Sequence, residues 1–179
     1  GYRSVIQRPK FVHYGITGAV ISCSDSLIDL NFIYKKTRVS PPIEALRIYH
    51  NSGVIPFEFN FGSNELYIES VRRCAEMGYT EIQFTDAIDS LDIQFIRNTK
   101  ESYRLDLYGF ELMNSQPGIS YNSIGINGAG LYTYLDNEFF LRDLKQSPPD
   151  FFAFSVGTND AFVPYASFKP EIYKRNLED

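Results

Sequence analysis

The sequence predicts a mixed fold: an antiparallel β-sandwich, jelly-roll-like, over residues 1–113, followed by part of an α/β parallel-sheet domain over residues 114–179. Three observations predict it. The first two-thirds of the chain alternates apolar with polar residues in short runs, the period of a strand with one face on a core and the other in water. Turn-forming residues separate these runs at short intervals, as in sandwiches. After Asn114-Ser115-Gln116-Pro117-Gly118, the expected linker, the pattern changes to strand, helix, strand, the unit from which parallel sheets are built.

The strands of the first segment follow in order. Ala19 to Ser22 is β-rich, and Leu27 to Ile33 and Ala45 to His50 alternate. Ile55 to Phe61, Glu65 to Val71, Glu81 to Phe84, Ser90 to Ile96 and Tyr103 to Leu112 complete the set. Asn51-Ser52-Gly53, Gly62-Ser63-Asn64, Asp86 to Asp89 and Asn98 to Glu101 supply the turns. Val71 to Met77 reads equally as strand or short helix.

Beyond the linker, Ile119 to Ile126 reads as a strand and Asn127-Gly128-Ala129-Gly130 as a turn. Leu131 to Leu144 reads as a helix, with Leu131, Tyr134, Leu135, Phe139 and Leu144 roughly on one face. Ser147-Pro148-Pro149-Asp150 stops it. Phe151 to Val156 is an apolar run of strand length, as expected for a strand buried on both faces. It ends in Gly157-Thr158-Asn159-Asp160. Pro170 suits the first turn of a last helix, whose weak apolar face is Ile172, Tyr173 and Leu177. Right-handed crossover would put the turns at Gly128 and Asn159 on one edge of a sheet, where α/β folds bind ligands.

Composition narrows the functions. Hydrophobic residues make up 44% of the 179 and aromatics 16%, enough for a packed core. A net charge of −5 without a basic cluster argues against nucleic acid as a partner. No apolar run approaches the ~20 residues of a membrane span, and no signal peptide stands at the start. The chain opens on Gly1-Tyr2-Arg3 and is expected to be a trimmed piece of a longer protein. Cys23 and Cys74 are left open between a disulfide and two free thiols.

The corner at Asn159 has the chemistry of an oxyanion site. A backbone N–H at a glycine turn and an Asn amide can converge on a developing negative oxygen. Gly128 would let backbone approach a substrate closely, Gly157 would permit the angles that aim Asn159 inward, and Asp160 would tie the turn. The bland alternative is that Gly-Thr-Asn-Asp merely ends a strand.

These residues carry a resemblance. Gly157, Thr158, Asn159 and Asp160 match the Gly-x-Asn-Asp block of the SGNH (GDSL-type) hydrolases, and Ser123 to Gly130 resembles that family's preceding glycine turn. The run from Gly118 to Ala129, with Pro149-Asp150 and Ser155 to Phe162, is similar to a bacterial subgroup whose esterases carry an inserted carbohydrate-binding-like β-sandwich. The motifs cover about a quarter of the chain. The resemblance implies a flavodoxin-like α/β/α domain and Ser-based acyl transfer on an acylated, expectedly O-acetylated, glycan. It further implies Gly128 and Asn159 as the oxyanion hole, no cofactor, and a periplasmic or secreted location. The departure is large. No Gly-Asp-Ser block supplies a nucleophile, and no His follows His50 to serve as the base. His13 and His50 both lie in the β-rich segment. The expectation is an interior fragment of an enzyme, with a non-catalytic carbohydrate-binding module on an α/β scaffold as the alternative.

Other candidates are weaker. Gly125-Ile126-Asn127-Gly128-Ala129-Gly130 lacks the glycine order of a dinucleotide fingerprint. Cys23, Cys74, His13 and His50 lack metal-ligand spacing. Asp86, Asp89 and Asp92 with Glu81 read as a solvated acidic turn before they read as a Ca²⁺ site. Tyr49, Phe57, Phe59 and Tyr103 are candidates for stacking on sugar rings.

Overall fold

A computed structural model of the chain describes residues 2–4, 14–24, 28–35, 37–38, 40–51, 57–97 and 104–178. Its strands are β1 (Tyr2–Ser4), β2 (Ala19–Cys23), β3 (Ile28–Lys35), β4 (Ile43–His50), β5 (Phe57–Asn60), β6 (Ile68–Cys74), β7 (Tyr79–Ile88), β8 (Ser90–Arg97) and β9 (Leu105–Met113). β8 is the plainest product of the alternation. Leu91, Ile93 and Phe95 are buried while Asp92 and Gln94 between them are exposed.

The strands form a six-stranded sheet in the order β1-β2-β9-β4-β7-β6 and a three-stranded sheet in the order β3-β8-β5. The ladders β2–β9, β4–β9, β4–β7, β6–β7, β3–β8 and β5–β8 are all antiparallel. Leu46, Ile48 and Ile82 from the larger sheet share one core with Phe57, Ile93 and Phe95 from the smaller. Burying each such side chain contributes roughly 1.5–3 kcal/mol, which is what makes the two sheets face each other. Between β7 and β8 the crossing from one sheet to the other takes a single residue: β7 ends at Ile88, Asp89 bends, and β8 begins at Ser90.

Two stretches of this part differ from the sequence reading. Gly62–Tyr67 is a 3-10 helix, so the strand expected from Glu65 begins only at Ile68. Local polar side chains compete for the backbone there. The Asn60 Oδ1 accepts the Gly62 N–H at 2.8 Å, and the Glu65 carboxylate accepts the Phe61 N–H at 3.2 Å. Val71 to Met77 resolves into both of its alternatives, strand to Cys74 and a 3-10 turn over Ala75–Met77.

The described residues pack as two compact units, one within residues 21–121, the other within residues 2–20 and 122–178. Residues 2–20, read on sequence as part of the β-rich segment, group with the C-terminal unit. Hydrogen bonds explain this: Asn137 Nδ2 donates to the Gly15 carbonyl at 2.8 Å and the Ile16 N–H donates to Asp143 at 3.0 Å. The residues expected as a linker from 114 belong to the sandwich unit, where the Ser115 N–H and hydroxyl bind the Glu44 carboxylate at 2.7 and 3.0 Å.

The second unit carries α1 (Leu131–Leu135), α2 (Phe140–Leu144), α3 (Thr158–Ala161) and α4 (Pro170–Glu178). The single helix expected over Leu131 to Leu144 is two, because Asn137 breaks it. Its N–H closes a tight bond to the Tyr134 carbonyl, and its side chain leaves for Gly15. The two expected strands of a parallel sheet do not form. Residues 118–126 and 152–157 carry no strand ladder, and Ile119, Tyr121 and Phe151 are 100%, 87% and 84% exposed. A strand apolar on both faces needs strands beside it, and none of the described residues pairs with either segment. The final helix starts at Pro170 as expected.

Candidate functional site

The glycine turn and the Asn159 corner meet although the sheet expected to align them is absent. The Ala129 N–H donates to the Ile126 carbonyl at 3.0 Å, closing a four-residue turn with Asn127 and Gly128 at its centre. Gly128 has φ +83°. Such a positive φ at the third position of a turn favours glycine. The turn delivers the chain to α1, whose first residues are held twice: the Gly130 N–H donates to the Thr133 hydroxyl at 3.2 Å, and the Leu131 N–H donates to the Asp160 carboxylate at 2.9 and 3.1 Å.

The other half of the corner is built by Gly157. It stands at φ +111° immediately before α3. The dihedral favours glycine, and a Cβ on it would also lie 2.6 Å from the Tyr173 hydroxyl of α4, which would have to shift. The sharp turn places Asn159 and Asp160 side by side in α3. Asn159 Nδ2 donates to the Ala129 carbonyl at 2.8 Å. An amide carries two N–H donors, so a second remains for a ligand.

A cavity of about 340 Å³ opens where these segments meet. Ile124, Ile126 and Val156 give it apolar walls, while Asn127, Ser155 and Asn159 give it polar ones. Its size lies at the low end of small-ligand sites. Gly128 sits at the turn's tip between two lining residues, Asn127 and Ala129. A second cavity of about 490 Å³ lies along the same 124–127 segment, bounded also by Thr17, Ala19 and Ser123. The corner thus offers hydrogen-bond donors to an oxygen atom, beside a small half-apolar space.

Sequence reasoning missed three contributors. Tyr173 was read only as part of a helix face, yet its hydroxyl fills the space against Gly157. Asn137 and Asp143 dock the Gly15–Ile16 backbone.

The remaining candidates stay apart from the corner. His50 is buried in the sandwich. Its Nδ1 lies 3.0 Å from the Asn51 carbonyl, which can only accept, so Nδ1 carries the proton and the Thr80 hydroxyl donates to Nε2 at 2.8 Å. That is a core histidine. His13 and Tyr103 lie outside the described residues. Cys23 and Cys74 are not joined in a disulfide. Among the described residues no cluster of His, Cys, Asp or Glu fits a metal ion, and Glu81 is engaged by Arg47 and Arg72 instead. The stacking candidates Tyr49 and Phe57 are 7% and 2% exposed and Phe59 packs on the core, so they form no platform for a sugar. No helix among the described residues is long and apolar enough to cross a membrane.

No protein-family model matches the chain, and neither the curated proteins nor the solved structures contain a match.

Proposed function

We propose that the second unit carries the oxyanion-stabilising half of an SGNH-type ester hydrolase site, acting on an O-acylated, expectedly O-acetylated, carbohydrate. The observation that supports this most is the 2.8 Å bond between Asn159 and Ala129, which sets the Gly-x-Asn-Asp corner against the glycine turn. In this reading a Ser supplied outside the matched blocks attacks the ester carbonyl. The carbonyl oxygen becomes negative as the tetrahedral intermediate forms. It takes the second Asn159 Nδ2–H and the Gly128 N–H, and the 340 Å³ cavity receives the acyl group. Donors held in place before reaction and strengthened as charge develops would lower the barrier.

The test is Asn159→Ala in the protein with its nucleophile and base in place, assayed on acetylated saccharides. Loss of one oxyanion donor is expected to lower kcat by ~10²–10³ with KM little changed. An unchanged kcat sinks the assignment.

A further inference from the structure

We infer that Asp160 is a positioning residue: it clamps the start of α1, and through that clamp fixes both the Asn159 amide and the Gly128 turn. The argument for its consequence rests on the oxyanion reading; the clamp itself stands on geometry alone.

Two hydrogen bonds join neighbouring residues of the two segments, and they run in opposite directions. Asn159 donates to the Ala129 carbonyl at 2.8 Å, and Asp160 accepts the Leu131 N–H at 2.9 and 3.1 Å. One bond would leave the segments free to pivot. Two bonds two residues apart hold both separation and orientation. The Leu131 N–H is one of the first of α1, which have no acceptor within their own helix, so Asp160 answers a need that water would otherwise meet.

Gly130 shows how closely the pieces fit. A Cβ there would lie 2.8 Å from Asp160 Oδ1. The space a side chain would fill is taken by the carboxylate and, at 2.9 Å, by the Tyr132 ring, so a side chain at 130 would press on both. On the far side, the Ala161 N–H bonds the Gly157 carbonyl at 2.9 Å, which makes Asn159 and Asp160 successive residues of one helical turn. Releasing Leu131 therefore removes one of the two ties that hold the turn carrying Asn159. On the near side Ala129 is bonded to Ile126, so the same movement reaches Gly128. The role differs from that of Asn159: Asn159 would touch the substrate oxygen, whereas Asp160 touches only backbone.

The deciding experiment compares ¹⁵N–¹H spectra of the full chain, wild type against Asp160→Ala and Asp160→Asn, with Asn159→Ala to assign the side-chain signal. In the wild type one Asn159 amide proton is expected to be protected from exchange. In Asp160→Ala that exchange should speed up roughly five- to tenfold, the scale of a lost helix cap, and the Gly128 signal should shift. Amides of β4, β7 and β9 should stay in place. Asp160→Asn keeps one acceptor oxygen and should fall between. Asn159 and Gly128 signals identical to wild type in Asp160→Ala would overturn the proposal. If that variant unfolds the second unit, Asp160→Asn decides by the same criterion. An unaltered ester turnover in Asn159→Ala with the spectral response intact would sink the oxyanion reading and leave the clamp standing.

Discussion

Asp143 accepts the backbone N–H of Ile16 at 3.0 Å, across 127 positions of sequence. Its other oxygen takes the Arg142 guanidinium at 2.8 and 2.6 Å, and that guanidinium lies 3.9 Å from the centre of the Phe139 ring. Asp143 is 2% exposed. Removing it would leave a buried N–H and a largely buried cation without their acceptor. Asp143→Ala is expected to cost about 3 kcal/mol, read from urea unfolding or from proteolysis of the second unit. Burial pushes the Asp143 carboxyl up, although Arg142 and the Ile16 N–H pull against it. A raised value in the folded state favours the fold below the ordinary carboxylate range, and that advantage is lost as pH rises through the folded value. The stability difference between wild type and the non-titrating Asp143→Asn should therefore shrink, or turn against wild type, as pH increases.

Glu81 has the opposite sign. It lies in a row across four strands, with Arg72 on β6, Arg47 on β4 and Glu111 on β9. Arg47 reaches Glu81 at 2.7 Å and Glu111 at 3.4 Å, while Arg72 reaches Glu81 at 3.1 Å. Burial alone would raise the Glu81 carboxyl, but hydrogen bonding and charge from Arg47, then Gln83 and Arg72, hold it below its usual range. Its contribution is present above the unfolded value and lost as pH falls through the folded one. Glu81→Gln should cost about 1–3 kcal/mol at neutral pH, and the difference should disappear in acid. A constant difference across that range would exclude the linkage. The mostly exposed Arg72 should matter little when replaced.

The sandwich was legible because each strand carries its own evidence. β8 alternates whether or not its neighbours are known, and burial of Leu91, Ile93 and Phe95 follows from the pattern. The second unit was less so, because its expected strands depended on partners. Phe151 to Val156 is apolar enough for a buried strand, but composition cannot provide the strands beside it. The corner at Asn159 was legible for a different reason. Gly128 and Gly157 mark positive φ angles that few other residues tolerate, and those local constraints hold without the sheet. Tyr173 and Asp143 were hidden because what they meet across the sequence is the space at Gly157 and the backbone N–H of Ile16, which leave no motif.

Gly157 allows a separation of strain from contact. Gly157→Ala introduces a methyl at φ +111° and against the Tyr173 hydroxyl. The expected loss is about 2 kcal/mol, with roughly half from the dihedral. Adding Tyr173→Phe removes the oxygen but leaves the dihedral. The double variant should therefore recover part of the loss, a coupling measurable by a double-mutant cycle. Strict additivity would show that Tyr173 does not press on this position.

The second unit also presents a large apolar surface. Phe151, Phe152, Phe154, Phe162 and Tyr165 are 84%, 48%, 52%, 89% and 97% exposed, and the rings of Phe152 and Phe154 stack on each other at 6.1 Å. Apolar exposure gathered along one stretch favours association or dye binding. The chain should bind a hydrophobic-surface dye and sediment with a concentration-dependent mass. Phe151→Ser together with Phe154→Ser should reduce both, because these side chains bury little and their loss costs little. The unfolding midpoint of the sandwich should stay unchanged, since its core draws on Leu46, Ile82 and Phe95 instead. A double variant that associates as strongly as wild type would place the sticky surface elsewhere. One that lost stability would show that these phenylalanines are buried in solution.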